Sequence, residues 1–217
     1  MSTLSRHKAF PLSFVTTGKH LLLVGGDTLG ESRLATALLF DWARITVVAT
    51  NPTQATREMA QTDERVVFYE RETQESDVAD VDLVIESTMD EALGQTLAAW
   101  CRPRRIPLNA MDKLESCDVY YPALIMRGPL ILAIASGGEA PALSATLRRL
   151  LEQRLGPGWC NAALLIAEAR RALPPSGARM TMLKEIAGDE RLPALIAEND
   201  IEGMRNLIKD AISRMPD

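Results

Sequence analysis

Leu21-Leu22-Leu23-Val24-Gly25-Gly26-Asp27-Thr28-Leu29-Gly30 is the stretch that decides the fold. Four apolar residues run directly into a glycine pair, and a helical pattern over 31–40 follows without a linker. A strand that ends in a glycine turn and opens a helix presents backbone N–H groups at a positive helix end, the arrangement that receives a dinucleotide pyrophosphate. The frame Gly25-x-Asp27-x-x-Gly30 follows the Rossmann fingerprint with one exception: Asp27 stands where the middle glycine belongs. That glycine normally keeps side chains away from the phosphates, and a carboxylate there both obstructs and repels them. A tight βα corner without a ligand is the alternative reading of the same turn.

Outward from this turn, short apolar runs alternate with helical patterns. After an extended lead-in at Phe10-Pro11-Leu12, strands are predicted over 19–24, 45–49, 65–69, 81–85 and 106–109, with helices over 32–40, 53–61 and 90–101. Continuous apolar strands separated by helices imply parallel crossovers and a doubly wound sheet covered on both faces.

Beyond Asn109 the pattern changes. Apolar runs over 119–125 and 130–135 flank Met126-Arg127-Gly128-Pro129, which predicts an antiparallel pair. Ser136-Gly137-Gly138-Glu139-Ala140-Pro141 then opens a helix through 155, with proline in the first turn. Gly156-Pro157-Gly158 ends it, and helices are predicted over 162–173, 180–187, 192–197 and 201–215.

Composition narrows the function. A net charge of −5 over 217 residues excludes a general nucleic-acid binder, which presents a basic face. No apolar stretch is long enough to span a bilayer, and residues 1–11 lack a signal-peptide core. Cys101, Cys117 and Cys160 are scattered and odd in number, as expected for reduced thiols of a cytoplasmic protein. The two histidines, His7 and His20, both lie near the N-terminus, so no histidine-based metal site is expected.

Candidate chemistry gathers where parallel strands end. After the second strand, Asn51 offers an amide, rather than an acid, to ribose hydroxyls, or simply ends the strand in a turn. Thr88 and Asp90 follow the fourth strand, either facing a ligand or capping the next helix. Asn109-Ala110-Met111-Asp112 follows the fifth; Asp112 is a candidate general base or metal-approaching carboxylate, with a turn residue as the alternative. Ser136, Gly137 and Gly138 offer a hydroxyl and free N–H groups to a substrate carboxylate, or cap the helix they precede. Arginines at 102, 104, 105, 127, 148, 149, 154, 170 and 171 suit a polyanionic small molecule, or a set of solvated helix faces.

Taken in order, the glycine turn, Ser87-Thr88-Met89-Asp90, Asn109-Ala110-Met111-Asp112, Tyr121-Pro122-Ala123, Arg127-Gly128-Pro129-Leu130 and Ala135-Ser136-Gly137-Gly138-Glu139-Ala140-Pro141-Ala142-Leu143 resemble the dehydrogenase module of siroheme synthase. This is the precorrin-2 dehydrogenase family, and the resemblance covers about residues 10–155, with a weaker helical likeness beyond. It implies a Rossmann-like NAD-binding domain over 1–113, a small α/β dimerisation segment over 114–156, a helical domain over 157–217, and a homodimer. It further implies that NAD rests on Gly25, Gly26, Asp27, Thr28 and Leu29, with Asn51, Thr88 and Asp90 alongside. The tetrapyrrole would meet Asn109, Arg127, Ser136, Gly137 and Gly138, and Asp112 would act in dehydrogenation. In bifunctional members Asp112 also serves chelation, with ferrous iron as a second substrate. Two departures stand out: members read Gly-Gly-Gly where Asp27 is third, and Lys113-Leu114 replaces smaller or acidic residues and proline. A chelatase or regulatory relative that has lost NAD through Asp27 is the alternative these departures raise.

Overall fold

A computed structural model describes residues 9–215; His7 and most of the N-terminal stretch searched for a targeting signal lie outside them. Contacts divide the chain into two compact units. One runs through Tyr121 and takes in Gly137–Glu139; the other comprises Pro122–Ser136 and the chain from Ala140 onward.

The first unit is a five-stranded parallel sheet built from β1 (His20–Val24), β2 (Arg44–Ala49), β3 (Val66–Glu70), β4 (Leu83–Glu86) and β5 (Leu108–Ala110) in the order β3-β2-β1-β4-β5. Helices α1 (Thr28–Ala37), α2 (Gln54–Thr62) and α3 (Glu91–Cys101) make the crossovers. The apolar run of β1 reflects burial on both faces. Leu21 and Leu23 pack with Ile45, Val47, Leu34 and Trp42. Leu22 and Val24 point the other way, into a cluster with Val84, Leu97, Ala98 and Leu108. Each such leucine contributes about 2 kcal/mol by leaving water, and two-sided burial is what makes β1 the axis of the sheet.

The parallel sheet is as predicted, and the boundaries that moved have local causes. Helix α1 starts at Thr28, one residue after the glycine pair, because the intervening Asp27 side chain caps it. Strand β5 begins after Pro107, whose missing N–H cannot join the ladder. The strand predicted over 119–125 instead starts at Ala123, because its first part is stitched to β5. Asp118 and Val119 donate their N–H groups to the Leu108 carbonyl, at 2.7 and 3.2 Å.

In the second unit, β6 (Ala123–Arg127) and β7 (Leu130–Ile134) pair antiparallel about Gly128-Pro129, with Gly128 at φ 59°. Helix α4 (Pro141–Glu152) follows, then α5 (Gly158–Ala172), α6 (Gly177–Gly188), α7 (Leu192–Glu198) and α8 (Ile201–Ser213). Their core joins Leu165, Met182, Ile186, Ile196, Met204 and Leu207. Gly158 permits the approach of α5 to α7, since a Cβ there would lie 2.0 Å from the Ile196 carbonyl oxygen. No helix among the described residues is long and apolar enough to cross a membrane.

Candidate active site at the carboxyl edge of the sheet

Strand order reverses at β1, where β2 leaves to one side and β4 to the other. Crossovers on opposite faces leave a crevice beyond the carboxyl ends of the strands at such a point. Here it holds about 540 Å³ and gathers Gly25, Gly26, Asp27, Asn51, Thr88 and Asp90, six of the residues singled out in the sequence. Thr28 and Leu29 lie in the first turn of α1, exposed and outside the lining.

The turn keeps two glycine functions of the fingerprint. Gly25 sits at φ 105°, and Gly30 lies so close to it that a Cβ would be 2.5 Å from the Gly25 carbonyl oxygen. The Gly26 carbonyl accepts from the Thr53 N–H at 2.8 Å and the Thr56 hydroxyl at 2.9 Å, fixing the turn against the start of α2. Asp27 breaks the pattern. Its Oδ1 accepts from the N–H groups of Leu29 and Gly30 at 3.0 and 3.2 Å, donors at the helix end that attracts a pyrophosphate. Asp90 does the same for α3, accepting from the Leu93 N–H at 3.1 Å. Two helix ends facing the crevice therefore carry their own carboxylates.

The shape of the cradle fits an NAD(P) molecule: the left-handed glycine, the close helix–strand approach and the volume are all present. The two hydrogen bonds that hold Asp27 belong to an exposed cap, whose disruption costs about 1 kcal/mol.

Asn51 is exposed at the end of β2, with no side-chain hydrogen bond among the described residues. Arg71 and Glu72, which the sequence reading passed over, also line the crevice. The Arg71 guanidinium forms a fork with Asp77, at 2.8 and 2.6 Å, and lies over the Tyr69 ring. An arginine directly after an edge strand, six residues before an aspartate, was the available signal.

Asp112 stands on the same edge, beyond β5 and beside β4. It is exposed, adopts φ 56°, and among the described residues its carboxylate has no hydrogen-bond or ion-pair partner. A non-glycine residue held left-handed carries strain of roughly 1–2 kcal/mol, and such residues cluster at functional sites. Lys113, next in sequence, is buried instead. Its ammonium donates to Glu86 Oε2 at 2.7 Å, the Thr88 carbonyl at 2.8 Å and the Met111 carbonyl at 3.3 Å. The two side chains are 3% and 0% exposed. This pair escaped the sequence reading because its members lie 27 residues apart on different strand ends.

Other anticipated site residues have internal work. Asn109 is 8% exposed and donates from Nδ2 to the Val119 carbonyl at 3.0 Å, holding the loop after β5. Gly137 and Gly138 both have positive φ, and a Cβ on Gly138 would meet Leu114 Cδ2 at 2.4 Å. In the second unit, the Ser136 hydroxyl oxygen accepts from the Ala140 N–H at 3.0 Å, leaving its own proton to donate. Arg127 donates to the carbonyls of Leu155, Met126 and Glu152, so its guanidinium holds the end of α4. Arg102, Arg104 and Arg148 are likewise engaged by carbonyls or carboxylates of their own unit.

Residues 12–123, just over half of the chain, match a family described as "Putative NAD(P)-binding". The chain belongs to that family. Relatives include siroheme synthases of Saccharophagus degradans, 34% identical over 161 residues, and of Ectopseudomonas mendocina, 36% identical over 144. The first alignment covers 74% of this chain and 35% of the relative, the second 65% and 30%. The chain thus spans about a third of the length of the curated relatives it matches. Among solved structures, one titled SirC, precorrin-2 dehydrogenase, superposes with a TM-score of 0.72 at 21% identity, covering 94% of this chain and 100% of that one. The resemblance to the siroheme synthase dehydrogenase module therefore holds for family and fold.

Proposed function

We propose that this chain is an NAD-dependent precorrin-2 dehydrogenase of siroheme synthesis, working in the cytoplasm as a homodimer. One observation carries the reading: a dinucleotide-sized crevice and an unpaired, strained carboxylate, Asp112, share the carboxyl edge of adjacent strands β4 and β5. NAD, when bound, supplies the hydride acceptor. Gly25 and Gly26 would hold its pyrophosphate and Asn51 its adenosine ribose, and Thr88 would border the reacting end. Asp112 takes the ring-linked proton as hydride leaves, work that general-base catalysis values at roughly 10²–10⁴-fold. The Gly137 and Gly138 N–H groups receive a carboxylate of the tetrapyrrole. Ile131 of β7 and Leu143, Leu147 and Leu150 of α4 are exposed apolar residues, the last three on one helix stripe, and they supply the face for a second copy.

The test is purified protein with precorrin-2 and NAD, followed by NADH absorbance and sirohydrochlorin formation. Equal yields of both products are expected, and a folded protein with no turnover would overturn the dehydrogenase reading. The hydrogen bonds of Asp27 favour one alternative, a tetrapyrrole-binding chelatase or regulatory relative that has lost NAD. Ferrous iron would then be its substrate, approached by Asp112; among the described residues no three or more His, Cys, Asp or Glu gather as a resident metal site. Calorimetric titration separates the two: micromolar NAD binding sinks the alternative.

A further inference from the structure

The most unusual charged feature of the first unit is the Glu86–Lys113 pair. It adjoins the crevice at one end and Asp112 at the other. Residues 110–113 form a β-turn in which the Lys113 N–H donates to the Ala110 carbonyl at 3.2 Å and Asp112 occupies the left-handed third position. Glycine or asparagine normally fills such a position. The turn is closed a second time from outside, because the Lys113 ammonium reaches back to the Met111 carbonyl inside the turn while binding Glu86 on β4. Its aliphatic stem lies against Gly94 of α3, where a Cβ would come within 2.3 Å of Lys113 Cδ. Glu86 in turn accepts from both the N–H and the hydroxyl of Thr88 through Oε1, and the ammonium also holds the Thr88 carbonyl. Every strong donor and acceptor of the pair is therefore tied either to the Asp112 turn or to Thr88 in the crevice wall.

A buried ion pair is poor value as a stability device, since an apolar pair of similar volume often does as well. What it supplies is fixed geometry. We propose that Glu86 and Lys113 are positioning residues that lock the Asp112 turn in its left-handed form and set its distance from the crevice wall at Thr88. The proposal rests on reading Asp112 as the proton acceptor. The pair acts on the chemical step, because neither member lines the crevice and both hold a group that must be aligned only when the proton moves.

The experiment compares wild type with the double substitution Glu86→Gln/Lys113→Met, which removes both charges at nearly constant volume and avoids leaving one buried alone. Melting curves confirm the fold. Amide hydrogen exchange over 110–113, NAD and sirohydrochlorin titrations, and steady-state kinetics with precorrin-2 are then read together. Exchange at the amide of residue 113 should accelerate at least tenfold and kcat should fall at least tenfold, with both dissociation constants and KM within about threefold of wild type. Restoring lysine alone, in Glu86→Gln, should recover most of kcat, because the ammonium still holds the Met111 and Thr88 carbonyls. An unchanged kcat, or a loss confined to KM, overturns the proposal. If wild type shows no turnover, or Asp112→Asn is fully active, the functional reading fails instead. Exchange then still decides whether the pair locks the turn, and unchanged protection of the amide of residue 113 overturns that too.

Discussion

Asp27 supplies from within the protein what a bound pyrophosphate supplies from outside: a negative oxygen on the N–H groups that open α1. Glycine at a helix N-cap is only a few tenths of a kcal/mol poorer than aspartate. Asp27→Gly should therefore leave thermal stability nearly unchanged while strengthening NAD binding at least tenfold, measured by calorimetry. At Asp112 the balance runs the other way. Glycine adopts φ 56° without strain, so Asp112→Gly should stabilise the fold by about 1 kcal/mol in urea denaturation while lowering turnover at least a hundredfold. Stability gained and activity lost by one substitution would identify strain kept for function. The substitution at 27 was visible in the sequence because it breaks a spaced motif. The burial of Lys113 was not, because nothing in Asp112-Lys113-Leu114 announces a partner on another strand.

At the scale of elements, the alternation of runs and turns made all five parallel strands legible, because burial on both faces leaves continuous apolar stretches. Legibility failed where a segment's partners were distant. The strand predicted over 119–125 opens on Val119, yet the Leu108 carbonyl and the Asn109 amide claim that residue for β5. The N-terminal ends of β1 and β4 are joined by side chains whose charge depends on pH. Hydrogen bonds from Lys19 and from the His20 N–H hold the Asp82 carboxyl below the usual carboxylate range. Burial pushes the His20 imidazole below its ordinary value, although its hydrogen bond to the Asp80 carbonyl opposes this. Both folded-state values lie below the unfolded ones, so both groups contribute stability at neutral pH that is lost on acidification. The His20 contribution fades as pH falls below about 6.5 and that of Asp82 below about 4. Urea midpoints between pH 8 and 3 should fall in those two windows, and Asp82→Asn should make the lower fall shallower, the rest belonging to carboxylates such as Asp63 and Asp77 that arginines hold low. In the helical unit, Gly158→Ala drives a methyl into the Ile196 carbonyl and should destabilise that unit by about 1–3 kcal/mol.

At the scale of the whole molecule, the apolar stripe of α4 and the outer face of β7 await a partner in the proposed dimer. Leu143→Glu with Leu147→Glu should leave helix content intact and shift the sedimentation coefficient from dimer to monomer; a monomeric wild type would refute the assembly. Gly137–Glu139 raise a different matter. These three residues belong with the sheet unit, Gly138 lying against Leu114 and Tyr120, while the chain on either side of them belongs with the helices. On a ribosome, the sheet unit therefore cannot be complete when its last strand, β5, is made. Gly138 can meet Leu114 and Tyr120 only after β6 and β7 have been synthesised.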